Sequence, residues 1–413
     1  MIKIRPFKGY RARKGLEDKI ACVPYDVIDH DEALRIGKEN AYSFIHVIRP
    51  EIKMLPNTDP YSQNVYNKAK ETLQDFIKKG NLVKEEKEII YIYRQIMNGR
   101  VQNGIVGCIS IDDYERNKIK RHEFTRVDKE IDRIKHFYTC EANTEPVFLF
   151  YKENISLKEL MKDWTESHEP IFDFVTEDGV KQILWAVDEE NKLNEIQTIF
   201  DAIDNLYIAD GHHRTESSYK VGLMKREENP DYTGDEEFNF FMSVIFPGDE
   251  LFIMPYNRIV KDLNGYSTEE FIEQVKDNFH IIPLKKPVQP ENKHEFTIVF
   301  KDRSYLIKPK EGTFNKDDVV ASLDTSILQD NLLKPILGID DPRTNKRIEF
   351  YGGENMMEII LGKLEKEVEV AFLLYPTQIQ DIINVSDANT VMPPKSTWFE
   401  PKLKSGLFIH TFE

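Results

Sequence analysis

The sequence predicts an α+β protein with mixed sheets, and three observations lead to that class. Residues 61–79 place apolar side chains on one helical face, and Gly80 supplies the stop that ends the helix. The dipeptide Asn98-Gly99 joins two strand-like runs and so predicts a β-hairpin. Residues 154–204 alternate between helical and strand-like segments. Helices and paired strands are therefore expected in the same chain.

The N-terminal region is predicted to be mostly extended. Residues 4–7 and 21–28 are expected to form two short strands or extended pieces around a basic loop, and residues 42–50 a strand that ends at a proline. Asp26 lies between apolar neighbours, where it either caps a turn or offers a carboxylate to a pocket. The sequence leaves both roles open.

Later elements follow from the same kinds of signal. In chain order we expect a strand over 147–151, a helix around 196–203, a hairpin of 238–246 with 251–260, a helix opened by the capping box of 267–270, a hairpin of 296–300 with 305–307, a mostly helical segment over 319–337 and a buried strand over 371–375. The proline-containing stretch 285–293 is the best linker candidate. It divides the chain into a core region over 1–285 and an additional C-terminal α+β lobe over 290–413.

The composition narrows the class of protein. The chain has 413 residues, 40% of them hydrophobic, which is enough for a sizeable core, and its net charge of −16 argues against a general nucleic-acid binder. It contains no run of about 18 apolar residues, so no membrane span is expected. The three cysteines lack metal-ligand spacing and the basic N-terminus lacks an apolar signal segment, which together indicate a cytoplasmic protein. A homo-oligomer is left open.

The most informative stretch is 206–219, with the sequence LYIADGHHRTESSY. A short buried strand ends at Asp210, Gly211 lets the backbone approach a ligand closely, and a helix with unpaired N–H groups in its first turn follows. Arg214 adds forked donors that suit phosphate oxygens, and Asp210 is placed to hold a metal ion or take a proton. The predicted phosphate-binding residues are Gly211, His212, His213, Arg214 and Thr215.

The stretch 119–133 is a second candidate for a site. Charges of both signs alternate here with few apolar side chains, which is also typical of a solvated helix face. As a site it would offer His122 and Glu123 for proton transfer, and Lys129 and Arg133, one helical turn apart, for phosphate. The local sequence favours neither interpretation over the other.

Several blocks of the chain together resemble one known family over nearly the whole length. They are, in order, RPFKGYR, VPYDVI, YSFIHVIRPE, RHEFTRVDKEIDR, ADGHHR, MPYNRIV and MPPKSTWF. This series resembles the domain-of-unknown-function family 1015, long described as SpoOJ/ParA/ParB/repB-like. The ADGHHR block is also similar to the phosphate-contacting turn of the ParB/sulfiredoxin superfamily. The resemblance therefore implies a ParB/sulfiredoxin-like core that carries the site.

The resemblance also implies an activity, because ParB-like free serine kinases keep a similar motif. It implies an L-serine kinase that uses ATP, or ADP as donor, together with Mg²⁺. In that reaction the residues from Gly211 to Arg214 would wrap the nucleotide phosphates, and Asp210 would bind Mg²⁺ or orient the serine hydroxyl. Glu123 would be the first choice as base and Asp26 the second.

The remaining residues would support the same reaction. His212 is expected to contribute to catalysis as well as to phosphate binding, and Lys129 and Arg133 would neutralise the transferred phosphate. Thr215 would cap the helix or touch a phosphate. Two other classes stay open: a nucleotide-binding regulatory protein or slow nucleotide hydrolase without an acceptor substrate, and a phosphatase with His212 or His213 as nucleophile.

Overall fold

The computed structural model describes every residue from Met1 to Glu413, and the chain folds into two compact units. The first unit comprises Met1–Arg121, Thr125–Leu251 and Pro401–Glu413, and the second comprises His122–Phe124 and Phe252–Glu400. The linker predicted over 285–293 lies within the second unit, and an independent C-terminal lobe over 290–413 stays a prediction.

The first unit contains the elements of the chain up to residue 247. Its strands are β1 (Ile4–Arg5), β2 (Tyr10–Ala12), β3 (Leu82–Lys84), β4 (Ile90–Met97), β5 (Arg100–Ser110), β6 (Ile119–Lys120), β7 (Ala142–Asn143), β8 (Val147–Tyr151), β9 (Phe172–Val175), β10 (Lys181–Val187), β11 (Leu206–Asp210) and β12 (Phe240–Pro247). Its helices are α1 (Glu17–Ile20), α2 (His30–Glu39), α3 (Ile45–Ile48), α4 (Gln63–Lys78), α5 (Ile111–Glu115), α6 (Val127–Cys140), α7 (Ile155–Ser167), α8 (Glu190–Asp201) and α9 (His212–Glu228).

A nine-stranded mixed sheet is the largest sheet of the first unit. Its strands follow the order β6-β11-β8-β12-β5-β4-β10-β9, and β1 pairs with β5 as well. The pairs β11–β6 and β12–β8 are parallel, whereas the other pairs are antiparallel. The predicted α+β class with mixed sheets is therefore confirmed.

The second unit contains most of the elements that follow. Its strands are β13 (Phe252–Ile253), β14 (Asn257–Val260), β15 (Phe279–Leu284), β16 (Phe296–Val299), β17 (Ser304–Pro309), β18 (Ile348–Tyr351), β19 (Val370–Leu374) and β20 (Phe399–Glu400), and its helices are α10 (Thr268–Asn278), α11 (Asp324–Leu328), α12 (Met356–Leu364) and α13 (Ile379–Asp387). Six of these strands form an antiparallel sheet in the order β15-β17-β16-β19-β14-β18. The last strand, β21 (Phe408–Thr411), belongs to the first unit, where it joins a sheet of order β3-β2-β21-β7.

Several predicted elements are confirmed. The helix predicted over 61–79 is α4, and the hairpin of 296–300 with 305–307 is the pair β16–β17. Asn98 and Gly99 have φ angles of 51° and 76°, the left-handed conformation that a tight hairpin turn between β4 and β5 requires. The capping box between Ser267 and Glu270 opens α10.

Two predicted elements are wrong, a strand over 42–50 and a hairpin of 238–246 with 251–260. Residues 42–50 do not form a strand: α3 and a 3-10 turn over Pro50–Lys53 occupy this stretch, with Phe44 and every side chain of α3 buried. A fully buried run of this length has no polar face to separate a strand from a helix by periodicity. The hairpin of 238–246 with 251–260 is also absent, because β12 and β14 lie in different sheets.

The cores of the two units are separate apolar clusters. In the first unit, buried side chains of α7 and α8 pack with those of the nine-stranded sheet, and Leu206 and Ile208 of β11 belong to this cluster. The packing fixes the end of β11 and hence the position of Asp210. No helix of the protein is both long enough and apolar enough for a membrane span.

Candidate functional site

The turn from β11 into α9 has an unusual backbone. Gly211 joins Asp210 to the first helical residue, His212, with φ 93° and ψ 33°, a left-handed conformation that favours glycine. A Cβ at this position would lie 3.0 Å from Nε of Arg214. Glycine is therefore required by conformation and by space, and it directly precedes the first turn of a 17-residue helix.

Arg214 is held rigidly beside this turn. Its side chain is 1% exposed, Nη1 donates to the carbonyl of Pro146 over 2.5 Å, and Nη2 donates to Oδ2 of Asp210 over 2.7 Å. Burial lowers the pKa of Arg214, but Asp210, Asp26 and Glu145 more than compensate, so its pKa is raised. The remaining donor, Nε, is buried and has no hydrogen-bond partner. A buried donor without a partner is costly, so an acceptor that bound Nε would relieve that cost.

Asp210 lies between two cations. One oxygen accepts the bond from Arg214, and the other lies 4.0 Å from Nζ of Lys402. Burial raises the pKa of Asp210, but Lys402, Arg214 and His212 outweigh it and hold the pKa at about 2. Asp210 is therefore a carboxylate at neutral pH and a poor general base.

Lys402 reaches the site from the C-terminal segment, which the sequence did not point to. Its backbone carbonyl accepts a hydrogen bond of 3.1 Å from Nε2 of Gln95 on β4. Gln95 is in turn the middle member of a buried row across three strands, because it pairs in register with Gln182 and Gln102. Side-chain bonds of 3.2 and 2.9 Å connect the row. The chain carries no local motif around Lys402, so only the tertiary structure reveals its position next to Asp210.

The two histidines of the turn have different environments. His212 is buried and contributes to the positive field at Asp210. Nε2 of His213 accepts a hydrogen bond of 2.9 Å from the backbone N–H of Arg126. Burial lowers the pKa of His213, and Arg126 and Arg214 lower it further against the opposing effect of Asp26. His213 is therefore a neutral imidazole at pH 7, with Nε2 as the acceptor.

Thr215 does not cap the helix. Gly211 is the capping residue and makes no side-chain cap, whereas Oγ1 of Thr215 donates to the carbonyl of Gly211 over 3.0 Å. The predicted capping role is wrong, because a hydroxyl inside the first turn bonds back to the carbonyl four residues earlier. Its contact with a phosphate stays a prediction.

Arg133 belongs to a buried ion-pair network on α6. Its side chain is 4% exposed and pairs with Asp132 over 2.8 Å and with Glu145 over 3.4 Å. Its guanidinium also lies 3.9 Å from the ring centre of Tyr25. These contacts hold the turn before β8, whose Pro146 carbonyl accepts from Arg214. Lys129 of the same helix is only partly buried, and the phosphate contacts predicted for both residues stay predictions.

The loop around Asp26 is fastened to the same network. The backbone N–H of Tyr25 donates to Oε1 of Glu145 over 3.1 Å, and Nη1 of Arg49 donates to the carbonyls of Tyr25 and Ile28 over 3.1 and 2.6 Å. Asp26 itself is exposed, and its charge acts on both His213 and Arg214. Asp26 makes no hydrogen bond that caps a turn, and its role as a pocket carboxylate stays a prediction.

Glu123, the first choice as base, lies in the second unit. The segment His122–Phe124 groups with the second unit, where the backbone carbonyl of His122 accepts from the N–H of Met392 over 2.8 Å. Nε2 of His122 lies 3.3 Å from Oγ1 of Thr397. Glu123 therefore belongs to the second unit, and its role as a base stays a prediction.

The predicted magnesium ligand, Asp210, has no neighbouring acidic ligand. No group of three or more histidine, cysteine, aspartate or glutamate side chains lies close enough together to hold a metal ion. The oxygens of Asp210 already face Arg214 and Lys402. These residues do not fit a metal ion held by the protein alone. A magnesium ion carried on nucleotide phosphates stays a prediction.

Comparisons with known proteins give a family and several distant structural likenesses. A family model described as a protein of unknown function, DUF1015, matches residues 4–326. No curated protein matches the sequence.

Three solved structures illustrate the likenesses. The chain is similar to a conserved hypothetical protein from Pyrococcus furiosus, with 15% identity, a TM-score of 0.36, and 74% of this chain and 95% of that chain covered. It is similar to a free serine kinase in complex with AMP, with 15% identity, a TM-score of 0.37, and coverage of 74% and 92%. It is also similar to SbnI from Staphylococcus aureus, truncated at its C-terminus, with 9% identity, a TM-score of 0.33, and coverage of 73% and 85%. Scores this low assign neither a reaction nor a ligand.

Proposed function

Because the chain belongs to DUF1015, a family of proteins of unknown function, its activity has to be inferred from its own residues, and we propose that it is a small-molecule kinase. The proposed reaction converts ATP and free L-serine into ADP and O-phospho-L-serine. The serine hydroxyl oxygen forms a bond to the γ-phosphorus, the bond from that phosphorus to the ADP oxygen breaks, and the hydroxyl proton passes to a carboxylate.

The observation that carries the proposal is the buried, partnerless Nε of Arg214, which lies against Gly211 at the start of α9. A phosphate oxygen is the acceptor that such a donor fits best, because charge-assisted bonds to guanidinium are among the strongest in proteins. Backbone N–H groups in the first turn of α9 would add neutral donors to the same phosphate. The start of a helix alone is weak support for a phosphate site. The unsatisfied Nε of Arg214 beside it is the more specific observation.

Phosphoryl transfer depends mainly on positioning and on neutralising charge. Lys402 would supply a second cation, since its ammonium lies against the oxygen of Asp210 that Arg214 leaves open. Asp210, ionised at neutral pH, would accept a hydrogen bond from the serine hydroxyl and orient it. His212 and the neutral imidazole of His213 would line the nucleotide phosphates.

The base remains a choice between two carboxylates. Asp26 is favoured within the first unit, because its exposed carboxylate acts on His213 and Arg214 at the turn. Glu123 of the second unit is the alternative. Lys129 and Arg133 are proposed to act on the transferred phosphate, directly in the case of Lys129 and through the Glu145 network in the case of Arg133.

L-serine is proposed as the acceptor because the ADGHHR block resembles the motif of ParB-like free serine kinases. We also infer that the first unit contains the ParB/sulfiredoxin-like core which that resemblance implies. A cytoplasmic setting fits the proposal, since the three unpaired cysteines are all buried and a reducing compartment keeps thiols free.

A coupled assay for the spent donor, which is ADP from ATP, AMP from ADP and phosphate from pyrophosphate, tests the proposal. The full chain is incubated with ATP, ADP or pyrophosphate as donor and with L-serine or other small alcohols as acceptor. Acceptor-dependent release with L-serine supports the kinase. Nucleotide binding without acceptor-dependent release from any donor would reject it in favour of a nucleotide-binding regulatory protein.

A further inference from the structure

Two of the sequence blocks that the proposed kinase does not use come together in the second unit. These are MPYNRIV, which contains β14, and MPPKSTWF, which ends at the first residue of β20. The backbone N–H of Met254 donates to the carbonyl of Trp398 over 2.8 Å, and the rings of Tyr256 and Trp398 meet edge to face at 5.1 Å. The two blocks therefore form one cluster within this unit.

Arg258 brings a buried positive charge into the cluster. It is 4% exposed, donates to the carbonyls of Tyr256 and Lys395, and lies 5.4 Å from the ring centre of Phe350. None of these partners is a carboxylate. Burial lowers the pKa of Arg258 to about 10. A buried guanidinium without a counter-ion is unfavourable, and a bound anion would relieve that cost.

Asp324 brings a buried negative charge to the same place. It is 8% exposed, and Oδ1 accepts the backbone N–H of His294 over 2.9 Å. Oδ2 is buried and has no hydrogen-bond partner, and the same holds for Oγ of the nearby Ser326. Burial raises the pKa of Asp324 to about 7. A buried carboxylate oxygen needs a hydrogen-bond donor, and the chain provides none to Oδ2 of Asp324.

The two charges are neighbours but do not pair. The turn of Lys395 and Ser396 connects them, because Lys395 accepts from Arg258 over 2.9 Å and Oγ of Ser396 lies 3.0 Å from Oγ1 of Thr325, the residue after Asp324. Each charge also acts on the other electrostatically. Opposite charges held near each other without a direct ion pair match a ligand that carries both charges.

We propose that this cluster binds a small zwitterionic amino acid, with its carboxylate on Arg258 and its ammonium on Oδ2 of Asp324. The hydroxyl of Ser326 would supply a further polar contact. This inference goes beyond the kinase and is independent of it, because the amino acid would bind to the second unit without a nucleotide.

Calorimetric titration of the full chain without nucleotide tests the site with four probes. L-serine and glycine carry both charges, glycolate lacks the ammonium, and ethanolamine lacks the carboxylate. We expect both amino acids to bind, and glycolate and ethanolamine to bind roughly tenfold or more weakly, since each loses one hydrogen-bonded charge. The site is rejected when neither amino acid binds, or when glycolate binds as tightly as glycine.

Two variants and a control test the roles of Arg258 and Asp324 in binding. Arg258→Met is expected to abolish binding of both amino acids, whereas Arg343→Met, which removes an exposed arginine of the same unit, should leave it unchanged. Asp324→Asn keeps the shape of the side chain and should erase the preference for glycine over glycolate. This second variant keeps the test decisive where Arg258→Met fails to fold. Wild-type affinity in either variant overturns the assignment.

Discussion

Nη2 of Arg214 donates to Oδ2 of Asp210 over 2.7 Å, while Nε of the same guanidinium, on the side of Gly211, has no partner. The ion pair fixes the guanidinium at the end of β11, so its unused donor has a defined direction. Preorganised donors of this kind stabilise charge that arrives with a ligand or develops in a reaction. The proposed phosphate site depends on this relationship.

Arg214→Lys tests the fork of donors. Lysine keeps the charge, but its donors share one nitrogen and cannot reproduce the planar fork that reaches Asp210 and Pro146 and leaves Nε beside Gly211. We expect turnover to fall roughly 100-fold, the usual effect of losing a preorganised donor, with weaker ADP binding in calorimetry. Arg35→Lys, at an exposed ion pair of α2, is the control and should behave as wild type. Equal turnover in both variants would show that Arg214 only supports the fold.

Gly211→Ala tests the space beside that donor. A Cβ here would lie 3.0 Å from Nε of Arg214, whereas a Cβ at Gly179, which has a similar φ of 79°, meets nothing within 4 Å. Both variants should lose about 1–2 kcal/mol of unfolding free energy from the left-handed backbone. Only Gly211→Ala should also lose ADP affinity. Equal ADP affinity in the two variants would remove Gly211 from the site.

Lys402→Met tests whether Lys402 acts as a cation on Asp210, and the measured quantity is the pH of acid unfolding. Because the pKa of Asp210 is held at about 2, below its ordinary value, this carboxylate stabilises the fold above the unfolded-state pKa of about 3.9. That stability is lost as the pH falls towards 2. Removing Lys402 should raise the pKa of Asp210 and shift acid unfolding to higher pH, which circular dichroism measures.

The control for this prediction is Lys8→Met, which removes an exposed lysine of the same unit. Its acid unfolding should follow the wild type. An identical acid midpoint for both lysine variants would mean that Lys402 does not act on Asp210 in solution. Lys402→Met should also weaken ADP binding roughly tenfold, as expected for one charge-assisted bond.

Arg49→Met tests the loop that carries Asp26. Its loss leaves the carbonyls of Tyr25 and Ile28 without their donor. We expect faster amide hydrogen exchange around Asp26 and lower turnover, while ADP affinity stays unchanged because the Arg214 turn is intact. A parallel loss of ADP affinity would instead make this loop part of the nucleotide site and contradict its proposed role as carrier of the base.

The strand–turn–helix geometry of the candidate site could be predicted from the sequence because its parts are local. Strand end, glycine and helix start follow one another at residues 206–219, and the glycine conformation and the buried arginine agree with that reading. Lys402 could not be predicted, because its position depends on the return of the C-terminal segment and on a hydrogen bond to Gln95. Neither contact has a periodic or local signal.

The presence or absence of a local sequence signal also explains which parts of the fold were predicted correctly. Asn98-Gly99 specified its hairpin because a two-residue turn fixes the pairing of the strands that flank it. The apolar stretches around Ile45 and β12 carried no comparable signal, since a fully buried segment lacks the alternation that reveals its partner. Tertiary packing determines the structure of both stretches.

Phosphorus-31 NMR of the full chain with ATP and L-serine tests the kinase most directly, because it identifies the product rather than the loss of donor. We expect a phosphomonoester signal that coincides with added O-phospho-L-serine and grows with time in the wild type, and that grows roughly 100-fold more slowly in Arg214→Lys. Release of inorganic phosphate alone, or phosphoserine formed at the same rate by both proteins, would contradict it.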